Sequence, residues 1–468
     1  MRKMSVSVVL LTILLTFGTN SSAQELEIHG ELINDLIVEE SERRADKKYF
    51  TDLGENDILT GHNLNLILEK KLGLKGNLYL ETKFLKDYNG EEDIEINRGY
   101  LDYYTKRADF KIGKQMIKWG TGYRIKPNDV FNPNDMTGLK PFFDRLAINA
   151  VKANYYLPNR SELAFVVTPK AKPREFRDYT LKSISNQTEL GVGKQTYAQL
   201  MHNPSFTEFK DLLGSQGIDI NQDTVQNWIS PEIDNVDDKI DERQLGIRYT
   251  KRGVKGFDYS LMLFRSRNKT FTVDEEAFAK NLPNEIEEVV GETTTYLKKG
   301  MKNEALETIK NHEIPVKYVY PEATRVGFST IGQIGGQNVW LDLNYSIYDE
   351  DKYKNGGFYV IGHDWQFDNG LYVTNQFTLS QKMQEDGDDI STYNFLAEYP
   401  ILKKHKLKLI SLYDIEGDGI FIEPQFDYQI NKSSKLQFGF TWLMAEDEGD
   451  LVASYGQDRI YSRLKVNF

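Results

Sequence analysis

Residues 420 to 444 read IFIEPQFDYQINKSSKLQFGFTWLM. Ile420, Ile422, Phe426, Tyr428 and Ile430 alternate with Glu423, Gln425, Asp427 and Gln429. After the turn residues Asn431 to Ser433 the alternation resumes with Leu436, Phe438, Phe440, Trp442 and Met444. Successive side chains of a strand point to opposite faces, so a period of two describes a strand with one apolar and one polar face. Two such strands joined by three turn residues predict a hairpin whose faces need different surroundings.

The same pattern extends through the chain. Leu64, Leu66 and Leu68 alternate with Asn63, Asn65 and Ile67, and Leu74, Gly76, Leu78, Leu80 and Phe84 with Lys75, Asn77, Tyr79, Glu81 and Lys83. Val339, Leu341, Leu343, Tyr345 and Ile347 alternate with Asp342, Asn344 and Ser346. Candidate strands fall at 26–38, 59–69, 72–85, 94–105, 108–118, 145–157, 160–168, 242–251, 256–267, 322–333, 337–348, 356–367, 370–381, 390–399, 404–415, 419–430, 434–444 and 457–468. Most run to about ten residues or more, which suits a tilted strand crossing a bilayer better than an ordinary globular strand.

The connections alternate as well. Every long one (39–58, 119–144, 169–241, 268–321) is odd-numbered, and the even ones are short, such as Lys70-Lys71, Asp368-Asn369 and Asn431 to Ser433. Lys and Arg crowd the short turns, while Asp and Glu crowd loops such as Glu385 to Asp389 and Glu446 to Asp450. A chain of two-faced strands must stack two sheets or close one on itself, because open edges template aggregation. Long strands and asymmetric turns favour closure with the apolar face toward lipid. The expected fold is all-β: a closed antiparallel transmembrane barrel of sixteen to eighteen strands, eighteen by the segments above, with partly helical long outer loops. Residues 24–468 form its single domain.

Composition alone suggests something else. The 468 residues are 27% charged and 40% apolar, with no Cys and a net charge of −12, and mean hydropathy is −0.54. A barrel reaches such values because only every second strand residue is apolar. Arg2 and Lys3, the apolar run Val6 to Phe17 and the small residues Ser21-Ser22-Ala23 predict a cleaved secretory signal at 1–23. Without its two cations, 56 of the 58 basic residues remain against 70 acidic ones, a charge of −14 that opposes nucleic-acid binding. Absent cysteines exclude a disulfide framework, Cys-ligated zinc and thiol chemistry. The final strand alternates Leu464, Val466 and Phe468 with Arg463, Lys465 and Asn467 and ends on Phe468, which resembles the C-terminal signature recognised by the bacterial barrel-assembly machinery.

The stretch 108–145 carries a more specific resemblance. Gly113, Lys114, Gln115, Trp119 and Gly120, followed by Asn132, Pro133 and Asp135, resemble a family of uncharacterised porin-like outer-membrane barrels with a G-(R/K)-Q-x-x-x-W-G strand end and an N-P-x-D loop. Its prolines and glycines cannot continue a strand, and Asn and Asp beside Pro favour local turns, so an ordered loop without regular structure is expected. The layout is similar to porins whose third outer loop enters the lumen. That resemblance would place Arg124, Lys126, Asp129, Asp135 and Lys140 around a constriction. Lys114, Lys118, Arg98 and Asp102 would then line the pore. A rigid rim buttress with Trp119 in an aromatic girdle is the alternative.

Other chemistry finds little support. In a strand His363 and Asp364 point to opposite faces. His29 shares the polar face with Glu27, Glu31 and Asp35, and His62, His202, His312 and His405 lie in or near loops without Ser or Asp at motif spacing. Gly191-Val192-Gly193-Lys194-Gln195-Thr196 lacks the first Gly and the hydroxyl residue of a phosphate loop. Asp386, Asp388 and Asp389 suit a solvated acidic loop better than a calcium site. Ser205-Phe206-Thr207-Glu208 predicts a capping box opening a helix to Leu213 that ends at Gly214, and 273–282 and 285–311 carry helical spacing. These loops would act as a lid or as a solvated cap.

The expectation is a porin-like channel of the bacterial outer membrane passing small hydrophilic solutes, with no cofactor, metal, catalytic residue or nucleic-acid partner. Its surroundings would be membrane lipid and lipopolysaccharide, and a homo-oligomer is compatible with this. A barrel whose outer loops bind a ligand or partner is the rival reading, and a barrel hydrolase a more distant one. Purified in detergent, the chain should migrate differently on gels with and without boiling and show mainly β circular dichroism. Identical migration together with a helical spectrum would refute the barrel.

Overall fold

The computed structural model describes residues 26–40, 56–88, 90, 92–135, 144–174, 178–232, 243–269, 271–381, 389–444 and 458–468. The signal at 1–23, Lys140, Asp386, Asp388 and the 446–450 loop lie outside the described residues.

One sheet of eighteen strands dominates. In chain order these are Leu26–Glu40, Asn56–Lys71, Gly76–Lys86, Glu92–Tyr104, Ala108–Gln115 and Ile148–Leu157, then Ser161–Thr168, Gln244–Val254, Phe257–Arg267, Glu322–Ile334, Gln337–Tyr348 and Gly356–Gln366. Tyr372–Ser380, Ile390–Ile401, His405–Asp414, Ile420–Gln429, Ser434–Met444 and Arg459–Asn467 complete it. Each strand pairs antiparallel with the next, including Ser161–Thr168 with Gln244–Val254 across the longest connection. The last strand pairs antiparallel with the first, from Glu31↔Asn467 to Glu39↔Arg459, which closes the ring. All eighteen expected strands are present. The fifth ends at Gln115 rather than 118, because Gln115 turns its amide onto the backbone oxygens of Ala150 and Lys111 at 2.9 and 3.1 Å.

The two faces separate as the alternation requires. Ile28, Leu36, Ile247, Leu261, Val326 and Ile361 are exposed on the outside. Asp35, Glu81, Asp102, Glu162, Glu423 and Asp427 are buried on the inside. His363 lies on the outer face with Ile361 and Trp365, three residues from its strand's end, and meets Asn375 at 3.4 Å.

Inside, many of the wall charges are paired. Arg98 meets Glu81 at 2.5 Å, Lys111 meets Asp102 at 3.0 Å, and Glu162 takes both Arg248 and Arg252. Lys408 bridges Glu398 and Asp427, and Lys435 adds to Asp427. At the closing seam Arg463 donates to Asp35 from Nε and Nη2, at 2.6 and 2.8 Å, beside a pair between Lys465 and Glu31. The terminal Phe468 exchanges both backbone hydrogen bonds with Gly30, and its ring covers that glycine. A Cβ at Gly30 would come within 2.1 Å of the ring, so a larger residue there would push the Phe468 ring aside.

Residues 173–240 and 268–321 form a second compact unit. Where the sequence suggests separate loops of one domain, these segments share an apolar core that includes Phe206, Leu213, Val225, Trp228, Val289 and Ile314. Helices Asp178–Met201, Pro204–Ser215, Gln222–Trp228, Glu275–Lys298 and Lys302–Lys310 build it, with Ile229–Pro231 paired parallel to Ile314–Val316. Asn203, not Ser205, caps the second helix, accepting from Ser205 N at 3.0 Å, and Gly214 lies inside that helix. The phosphate-loop lookalike at 191–196 is ordinary helix.

Asp35→Ala leaves the seam guanidinium of Arg463 enclosed without its carboxylate, a loss on the order of 3 kcal/mol. Urea unfolding should show it as a lower midpoint. Lys83→Ala, which removes only the 3.9 Å pair with Glu95, should leave the midpoint nearly unchanged.

Candidate functional site: a hairpin folded into the barrel

Gly113 begins the departure from the wall. Its φ of +128° suits glycine alone, and a Cβ there would lie 2.2 Å from the Gly99 carbonyl. From Ile117 to Asn132 the chain leaves the fifth strand, turns at Tyr123-Arg124 and returns as an irregular hairpin inside the ring.

Its base is held by its own polar side chains. Asn132 Oδ1 accepts from Ile117 N at 2.6 Å, while its Nδ2 donates to Leu146 O at 2.7 Å. Asp129 Oδ1 accepts from the amides of Trp119 and Gly120 at 2.6 and 2.8 Å. Arg145 donates to the carbonyls of Asp129 and Asn132, and Leu146 N donates to Pro133 O. In these contacts Asn132 and Pro133 tie the hairpin's base to the chain at Ile117 and Leu146. An irregular backbone in a closed space must find partners for its amides, and short Asn and Asp side chains supply them.

The wall supplies the rest. Asp342, fully buried, accepts from Thr121 N at 2.9 Å, Thr121 Oγ1 at 2.6 Å and Gly122 N at 3.0 Å. Gln376 accepts from Tyr123 N and from Trp340 Nε1, and donates to Ile125 O. Asn128 donates to Phe328 O and Ser329 Oγ and accepts from Asn344. Asp342 and Gln376 stand near the middle of their strands, so the tip reaches about mid-height of the barrel. It crosses from the fifth strand to the thirteenth, eight places round a ring of eighteen.

Two apolar clusters seat it. Ile117, Trp119 and Phe131 pack on Ile148, Val166, Met262 and Phe264. Tyr123 and Ile125 pack on Leu396, Ile410, Leu412, Phe421 and Leu443. Trp119 is therefore enclosed, edge-on to Phe131 with ring centroids 5.3 Å apart, and does not stand in an outer girdle. Gly246 and Gly327 make room: a Cβ at either would strike Phe131 or Asn128.

Beside the hairpin lies a cavity of about 380 Å³. Lys118, Arg124, Lys126 and Arg145 bring positive charge to it, Asp129 and Asp364 negative charge, and Met116, Ile331 and Trp340 apolar surface. Burial pulls the guanidinium pKa of Arg124 down, opposed by Tyr123, Glu423 and Glu398. Burial likewise lowers that of Arg145 against the pull of Asp129. Of the other expected pore residues, Arg98 and Asp102 face inward in the wall pairs above, and Lys114 donates to Ile96 O at 2.5 Å. Asp135 N bonds Asp144 O, a tie at the hairpin's exit.

Sequence reasoning missed Asp342, Asn344 and Gln376 as anchors. The apolar runs Leu163 to Val167 and Leu261 to Phe264, where alternation fails because the inner face is also covered, signal the apolar seat of the hairpin but not these anchors.

Asp342→Ala removes three bonds to one carboxylate. Amide exchange at Thr121 and Gly122 should accelerate at least about tenfold, the scale of one charge-assisted bond. Unchanged protection would show that the apolar seats hold the hairpin alone.

No model of a known protein family matches the chain, and no curated protein does. Among solved structures it is similar to OmpF of Salmonella typhi, solved with daunomycin, at 9% identity over 95% of this chain and 98% of that one, TM-score 0.42. It is also similar to OccK11 of Pseudomonas aeruginosa, at 8% identity over 95% of each chain, TM-score 0.48. A third is the outer-membrane channel DcaP of Acinetobacter baumannii, at 11% identity over 96% of this chain and 99% of that one, TM-score 0.42.

Proposed function

We propose that this chain is a channel of the bacterial outer membrane that passes small hydrophilic solutes, with the hairpin at 117–132 as its constriction. The observation that carries the reading is the docking of that hairpin at mid-height inside a ring whose wall is polar and whose outside is apolar. A polar interior gives a hydrated solute replacement partners, and a loop pinned across the bore restricts size while its charged side chains sort solutes. Arg124, Lys126, Asp129 and Lys118 are the side chains that meet a solute there. Asp342, Gln376, Asn128 and Asn132 only hold the hairpin in place.

The outer face fits lipid, and the alternation of Leu464, Val466 and Phe468 fits delivery through the barrel-assembly machinery. The motif of Gly113 to Gly120 and Asn132 to Asp135 resembles that of porin-like barrels of the same pattern, and the parts Gly113, Asn132 and Pro133 play in the hairpin support reading it so. One observation favours a second reading, a barrel whose outer segments bind a ligand or partner. Residues 173–240 and 268–321 have a core of their own, more than a passive loop needs.

Planar-bilayer recording separates the two. The channel reading expects stepwise current from the purified chain and larger steps after deletion of residues 120–143. Absence of current from the full chain, with folding confirmed by its gel shift, would overturn it in favour of the binding reading.

A further inference from the structure

The inward charges fall into two groups. On the wall many carboxylates have a cation against them, as at Asp35, Glu81, Asp102, Glu162 and Asp427, while Asp342 and Glu423 accept from amides and hydroxyls instead. At the cavity beside the hairpin the balance differs. Four cations line it against two carboxylates, and both carboxylates are already engaged. Asp129 holds two backbone amides and faces Arg145 at 4.0 Å. Asp364 accepts from Asn338 Nδ2 at 2.8 Å and Tyr372 OH at 2.9 Å. Lys118 and Lys126 have no ion pair among the described residues.

We propose that this cavity is a binding site for a small organic anion, whose carboxylate or equivalent group is held by Lys118 and Lys126 while its apolar body lies against Met116, Ile331 and Trp340. This inference deepens the channel reading and rests on it for its role in passage. A volume of about 380 Å³ is within the range of small-molecule sites and admits a compact acid with some of its hydration shell. The ammonium groups supply charge-assisted donors that the protein itself does not use. Arg124 and Arg145 add to the field without needing to touch the ligand. Their burial disfavours their charge, and an anion arriving nearby would offset that penalty. A cation entering the same space would find its two candidate carboxylates occupied.

Sodium benzoate is a suitable probe, with benzamide as its neutral counterpart of the same shape. Calorimetry on the full chain in detergent should show saturable benzoate binding and none for benzamide. Lys118→Gln with Lys126→Gln should weaken benzoate binding by about tenfold or more, the effect of losing a charge-assisted contact. Lys118→Arg with Lys126→Arg should retain it, which guards against a folding defect. No binding to the natural chain, equal binding of benzamide, or an unaltered glutamine variant would each overturn the site. Bilayer current measured in parallel keeps the two claims apart. Benzoate binding without current sinks the channel and leaves the site standing, whereas current without benzoate binding sinks only the site.

Discussion

Closure of the sheet is the constraint from which the rest follows. Every strand here has an apolar outer face, and in an environment without water each backbone N–H and C=O needs a protein partner. An open sheet would leave two bare edges. The pairing of Arg459–Asn467 with Leu26–Glu40 removes both, and the side chains at that seam make the same join three times. Arg463 grips Asp35 inside, Lys465 reaches Glu31 one step along, and Phe468 covers Gly30 outside. A ring with its apolar residues outside must keep its polar residues inside, so closure also dictates a charged interior.

A charged interior has its own requirement, since ions in a confined space are costly unless they are compensated. The wall meets it mostly between neighbouring strands: Glu81 with Arg98, Asp102 with Lys111, Glu398 with Lys406 and Lys408. These pairs are local in the ladder, so they can form as each hairpin of strands zips and need nothing from the far side. The loop at 117–132 is different, because its partners sit 221 and 253 positions away at Asp342 and Gln376. It cannot settle until most of the ring exists.

That difference explains what was legible in the sequence. Strands, their order and the closing partner follow from a local rule of alternation, and so all eighteen could be read, with errors only at ends such as Gln115, where a side chain replaces the ladder. The departure at Gly113 and the turn chemistry of Asn132 and Pro133 were visible as motif residues. Their destination was not. Nothing near Asp342 marks it as a hairpin anchor rather than one more lumen carboxylate, because the amides it serves are remote in sequence. The helix Asp178–Met201 was missed for a different reason. It carries weak amphipathic order, and it packs chiefly on helix Gln222–Trp228 and strand Ile229–Pro231 of its own segment.

Broken alternation was the one neglected clue. Where a strand faces lipid outside and water inside, its inner positions should be polar. Leu163 to Val167, Leu261 to Phe264 and Trp442 to Met444 instead carry apolar residues on both faces, and in each case the inner ones, Ala164, Val166, Met262, Phe264 and Leu443, belong to the clusters that seat the hairpin. An inward apolar side chain in a water-filled bore is unfavourable unless something covers it. The lapses in the pattern therefore outline the footprint of the inserted loop on the wall. Of the two irregularities, apolar residues on the inner face mark where the hairpin rests, and the inner cations Lys118 and Lys126 are the ground of the anion site proposed above.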